Sequence, residues 1–185
     1  MSSICKNRLT LWSDLETLEK IKTAAAPPTE SWLDHLLGRF GVQRVKPMGM
    51  GLFQFLCPIP DNVDQLDIEV VPQLAHMPKS YFWQVKNWGC CRDVLLNFEQ
   101  TGESELCANF PTEYSPPVAA LQHGAKLHSF RFRLLYCETG NEFCGIATEC
   151  DNTEFELAHD RTVVENNIPA ELIDAFGLNQ ADTGL

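Results

Sequence analysis

The run Asn87-Trp88-Gly89-Cys90-Cys91-Arg92-Asp93 sets two adjacent thiols between a tryptophan and an arginine. A cysteine attacks carbon or binds metal as its thiolate, so a reactive site must bring the thiol down from about 8.5 with a base or a positive field. Arg92 adjoins Cys91, and His76, His123 or His128 could be delivered by the fold. No nucleophile motif flanks the pair, such as a cysteine opening a helix among glycines. Cys57, Cys107, Cys137, Cys144 and Cys150 fall within apolar, strand-like patterns, where cysteine acts as a small buried hydrophobe. The vicinal pair therefore reads as a packed turn ahead of a thiol site. Eight cysteines are present without one Cys-x-x-Cys, and His123 and His128 have a permissible spacing but no paired cysteines to complete a zinc set. No metal and no cofactor is expected.

Carboxylates offer a second chemistry. Glu138, Glu142 and Asp151 could supply a hydrolase pair, but a general acid needs burial to raise its pKa, and acids are abundant throughout this region. Asp61, Asp64, Asp67 and Glu69 lack the alternation and the sixth-position glycine of a calcium loop, so they read as a solvated loop. Phosphate-cradling and nucleophile-elbow glycine motifs are absent, and no enzyme is expected. Net charge is −11, unevenly placed: Met1–Cys137 holds 14 acidic against 13 basic residues, while Glu138–Leu185 holds 11 against Arg161 alone. Such a field repels nucleic acid, which proteins bind largely through Lys and Arg, and draws cationic protein surfaces.

These side chains need a scaffold, and 185 residues suffice for one domain that buries about two-thirds of its unfolded surface. No apolar run approaches the roughly 20 residues of a membrane span, and the start has no secretory pattern, so a cytoplasmic protein is expected. "NRLTLW" alternates as a strand. Ser13 and Glu16 form a capping box before a helix that stops at Pro27-Pro28. A second helix carries Trp32, Leu33, Leu36, Leu37 and Phe40, ending at Gly41. "GLFQFLCPIP" and "YFWQV" read as strands, with an irregular proline-punctuated excursion between them. "VLLNFEQTGESELCANF" reads as a hairpin turning at Gln100–Glu103. Ser115-Pro116-Pro117 starts a helix that Gly124 stops. "SFRFRLLYCETGNEFCGIATEC" is the clearest hairpin, with Phe130, Phe132, Leu134 and Tyr136 on one face and Arg131 and Arg133 on the other. "NIPAELIDAF-G" is a short amphipathic helix. This order predicts an α+β fold: an antiparallel sheet with helices on one face, ferredoxin-like (βαββαβ), with an inserted helix and an extra hairpin. Residues 1–160 form that domain, and 161–185 an acidic C-terminal extension.

Five blocks in order resemble the YubB ferredoxin-like family across about residues 1–150. "SSICKNRLTLWSD" is similar to its opening, M-x-x-W-C-x-N-x-L-x-V-x-G. "FQFLCPIP", "WQVKNWGCCRD", "TEYSPPVAAL" and "LYCETGNEFCG" resemble its F-x-F-x-x-I-x-P-x-P, N-W-G-T-K-W-D, T-x-W-S-P-P and Y-x-E-x-G-x-x-F-x-G. Ile4 and Tyr114 replace family tryptophans, and Cys90-Cys91-Arg92 replaces Thr-Lys-Trp, which points the cysteine pair towards packing or a partner contact. The resemblance implies a phage- or plasmid-borne accessory protein acting on its host, with no activity to carry over. The expectation is an inhibitor of a host nucleic-acid-targeting defence complex, an anti-CRISPR or other anti-defence protein, whose acids occupy cations meant for phosphate. Glu138, Glu142, Glu149, Asp151, Glu154 and Glu156 are the expected partner-binding residues. The partner is a host defence protein or nucleoprotein complex with a basic surface, with no membrane involved. Alternatives are a small enzyme (nuclease or nucleotide hydrolase), or a single-strand nucleic-acid binder stacking bases on Trp83, Trp88, Phe130 and Tyr136 beside Lys126, Arg131 and Arg133, which the net charge opposes.

Overall fold

The computed structural model describes residues 3–27, 50–157 and 167–178. In chain order the elements are β1 (Ile4–Trp12), α1 (Leu15–Ala25), α2 (Leu52–Leu56), two 3-10 turns (Val63–Gln65 and Pro72–Leu74) and α3 (Lys79–Trp88). They continue with β2 (Glu99–Gly102), β3 (Glu105–Glu113), α4 (Val118–His128), β4 (Arg131–Glu138), β5 (Phe143–Thr148), β6 (Asn152–Glu156) and α5 (Ala170–Phe176). One mixed α+β assembly results, built on a six-stranded sheet of order β2-β3-β1-β4-β5-β6. Every neighbouring pair is antiparallel. No described helix is long and apolar enough to cross a membrane.

Alternation decides which strand residues are covered. Cys5, Asn7, Leu9 and Leu11 of β1 are buried, while Lys6 and Arg8 between them are exposed. Phe132, Leu134 and Tyr136 of β4 point the same way, into a core that α1, α2, α3 and α4 close with Ile21, Phe53, Leu56, Trp88 and Leu121. Burying one such side chain contributes roughly 1.5–3 kcal/mol, so this layer dominates stability. Buried Asn7 is satisfied by donating its amide to the carbonyls of Cys5 (3.0 Å) and Phe110 (3.2 Å) and to Thr112 Oγ1 (2.8 Å).

A second cluster lies on the opposite face. Cys137 and Cys144 pack there with Ile168, Leu172 and Ile173, because they differ in parity from core-facing Tyr136 and Ala147. The expectation of helices on one face is thus corrected: α5 covers the other face over β4 and β5.

Several local expectations change with the packing. "FQFL" forms helix α2, since the Asp93 carboxylate accepts hydrogen bonds from Phe53 N (2.7 Å) and Gln54 N (2.8 Å) at its start. "YFWQV" lies within helix α3, which buries Phe82 and Trp88. The cap of α1 is Asp14, accepting from Thr17 N at 2.9 Å, one residue beyond Ser13. Gly124 sits inside α4 and does not end it; a Cβ there would lie 2.6 Å from Leu56 Cδ2, so glycine permits α2 and α4 to touch. The first β-hairpin turns at Glu103-Ser104, a residue or two late. The helix expected around Trp32–Phe40 lies outside the described residues.

Candidate functional site

The vicinal cysteines form a clasp. Helix α3 ends at Gly89, whose φ of 87° suits glycine and whose N–H donates to Val85 O. A Cβ at Gly89 would lie 2.6 Å from Pro116 O, so the Asn87–Asp93 turn and the segment after β3 meet backbone to backbone. Ser115 Oγ donates to Gly89 O. Arg92 pairs with Glu113 Oε1 at 3.2 Å, and Cys91 Sγ donates to Glu113 Oε2 at 3.2 Å. Trp88 Nε1 donates to Cys57 O at 2.6 Å. Both thiols are held protonated. Burial pushes Cys90 up to about 12; burial and then the Glu113 carboxylate push Cys91 up to about 11. Neutral thiols of that kind are poor nucleophiles at neutral pH, and the run serves packing. Tyr114, half exposed with φ of 66°, stands beside the clasp, its N–H on Ser3 O at 3.0 Å.

Other cysteines mostly match their expected burial. Cys57, Cys137 and Cys144 are buried and Cys107 is half-buried, but Cys150 is exposed, a correction due to its place in the β5–β6 turn. His128, one of the candidate zinc ligands, stacks on Phe55 with ring centroids 4.6 Å apart. No group of three or more potential metal ligands converges among the described residues.

The six acidic candidates follow the outer border of the sheet without gathering into one patch. Glu138 is corrected as a contact residue: it is 1% exposed and accepts hydrogen bonds from Ser3 Oγ, Gly140 N (2.9 Å) and Asn141 N, fastening the β4–β5 turn. Burial raises its pKa, and those hydrogen bonds together outweigh burial and hold it below the usual 4.5, the reverse of what a general acid needs. Glu142 is exposed in the same turn, with φ of 59°. Glu149, half-buried at the far end of β5, accepts from Phe132 N at 3.3 Å. The two turns stand about 20 Å apart at the usual strand rise, so Glu138 and Asp151 form no catalytic pair. Asp151, Glu154 and Glu156 are exposed on or beside edge strand β6, and among the described residues none of the three has a Lys or Arg partner. Elsewhere the C-terminal acids are partly neutralised: Glu171 of α5 pairs with Arg133.

Sequence reasoning missed strand β6. Its signal was the alternation of Glu154 and Glu156 around Phe155, whose ring joins the second cluster. The stacking platform of the nucleic-acid alternative is also corrected. Trp88, Phe130 and Tyr136 face the helical layer inside the core, and Trp83 packs against it. On the opposite face Arg131 and Arg133 line one hollow with Trp12 and Glu149, Arg8 and Arg133 line another with Glu171 and Asp174, and Arg133 pairs with Glu171. An open cleft of about 750 Å³ runs between the 66–74 segment and α3, lined by Leu66, Ile68, Val71, Phe82 and Trp83 with Asp67 and Lys86 at its rim.

No family model and no curated protein sequence matches the chain. Among solved structures, the crystal structure of protein api92 from Yersinia pseudotuberculosis, of the DUF1281 family, is similar in fold: TM-score 0.56 at 11% identity, over 86% of this chain and 100% of that one.

Proposed function

We propose that this protein is a phage- or plasmid-type accessory protein that binds a cationic host protein surface along its acidic sheet edge. The leading form is inhibition of a nucleic-acid-targeting defence complex, as an anti-CRISPR or other anti-defence protein working in the host cytoplasm. One observation carries the reading: Asp151, Glu154 and Glu156 stand exposed at the β6 border without a described cationic partner. Unneutralised carboxylates at a border speed encounter with basic surfaces and can occupy Lys and Arg that serve phosphate. The five-block resemblance to the YubB family supports a mobile-element origin. The strand order β2-β3-β1-β4, with α1 after β1 and α4 after β3, supports reading the first four strands as ferredoxin-like and β5–β6 as an added hairpin. The protonated thiols and the separation of Glu138 from Asp151 favour binding over catalysis.

The test is a phage-plaquing assay in cells carrying a nucleic-acid-targeting defence, with and without this protein. Expression is expected to restore plaques against at least one such system, and the Glu154→Lys/Glu156→Lys variant to lose that rescue while remaining folded. Rescue unaffected by the reversal would remove the acidic edge from the mechanism.

A further inference from the structure

Among the described residues strand β6 has one partner and one open side. It ends the sheet, pairing only with β5 among the described residues. Two bonds fix which of its groups point inward: Thr148 N donates to Asp151 O at 2.8 Å, and Leu157 N donates to Glu142 O at 2.7 Å. In an antiparallel ladder hydrogen-bonded and non-bonded pairs alternate. Positions 151, 153, 155 and 157 are therefore committed to β5. The N–H and C=O groups of Asn152, Glu154 and Glu156 project from the free side. These three side chains share one face of the sheet, the face of Tyr136, whose hydroxyl donates to Asn152 Oδ1 at 2.8 Å.

The two edges of the sheet differ. Edge strand β2 has four residues and a register break between Gln100 and Gly102, a device that blunts pairing with other chains. Strand β6 keeps unbroken register over its five residues and contains no proline. Its carboxylates discourage a second copy of this chain, since like charges would be brought face to face. They suit an incoming strand with Lys or Arg at alternate positions, whose side chains fall beside Glu154 and Glu156 on one face.

We propose that the partner is held by strand addition: an extended basic segment of the partner protein pairs its backbone with Asn152, Glu154 and Glu156 and sets alternate Lys or Arg side chains against the two glutamates. This rests on the acidic-edge reading above and adds the backbone ladder to it. Main-chain bonds give such complexes their affinity, and alternate side chains their selectivity.

The probe is a peptide of alternating lysine and valine, titrated by calorimetry at low salt into wild type, Glu154→Gln and Glu154→Pro. Both variants lose the same charge, but proline also removes an N–H that faces away from β5, a position where an edge strand tolerates it. Glutamine is expected to weaken binding about two- to fivefold, in line with a cross-strand charge pair, and proline by more than tenfold. Backbone amide exchange gives a readout independent of variant folding: the amides of Asn152, Glu154 and Glu156 should exchange fast in free wild type and become protected with peptide. Equal weakening by both variants, or binding without amide protection, would overturn strand addition and leave the acidic edge standing. No binding to wild type, or binding unchanged by glutamine and by added salt, would overturn both.

Discussion

At Glu138 a carboxylate lies almost wholly out of solvent while Ser3, Gly140 and Asn141 donate hydrogen bonds to it. Burial alone would favour the neutral acid; the donors favour the anion and prevail. A folded-state pKa below the ordinary 4.5 means that its stabilisation is present above the unfolded value and fades as pH falls through the folded one. Glu138→Gln should therefore cost roughly 1.5–3 kcal/mol at neutral pH, the range for hydrogen bonds to a charged group. In urea unfolding the gap to wild type should narrow below pH 4.5. The sequence placed Glu138 in an acidic run and could not separate it from Glu154, because its donors come from the turn after β4 and from Ser3 at the other end of the chain. Glu154 and Glu156 stand exposed because Phe155 of β6, a strand that spacing did not reveal, turns to the second cluster and sends both neighbours to the other face.

Among the elements, α2 shows why short segments mislead. Phe53 and Phe55 flank Gln54 within an apolar run that ends in prolines, as a buried strand would, and five residues are too few to hold a helix by propensity. The deciding group is Asp93, 40 positions later, whose carboxylate takes the N–H groups of Phe53, Gln54 and Val94. Asp93→Ala should destabilise the fold by roughly 1–3 kcal/mol, combining a lost cap with unmet donors, and amide exchange should speed at Phe53 and Gln54. Asp93→Asn, which retains one acceptor, should fall between. Gly124 carries a similar lesson: read alone it ends a helix, but packed against Leu56 it is the place where two helices come close. The β4–β5 hairpin and α5 were legible because their signals are local. Phe130, Phe132, Leu134 and Tyr136 alternate over consecutive positions, and Pro169 and Gly177 bracket the last helix.

For the molecule as a whole, chemistry is governed by what the layers cover. Six of eight cysteines are buried, Cys107 is half-covered and Cys150 is exposed. Iodoacetamide should label native Cys150 first and Cys107 more slowly, with the other six reacting only after urea unfolding; peptide mass mapping reads the order. Early labelling of Cys91 would contradict the clasp with Glu113. Charge behaves differently, because net charge and its concentration after Cys137 follow from the order of the residues, whatever the fold. Sequence by itself determined the α+β class, the strands β1, β4 and β5, the first and last described helices, and the acidic bias, all of which arise from neighbours within a few residues. Only the tertiary structure decided that α5 takes the second face, that "FQFL" and "YFWQV" are helical, that the vicinal thiols clasp Glu113, and which acids remain at the β6 border. Those outcomes depend on bonds and contacts between residues tens of positions apart, and spacing along the chain holds no record of such partners.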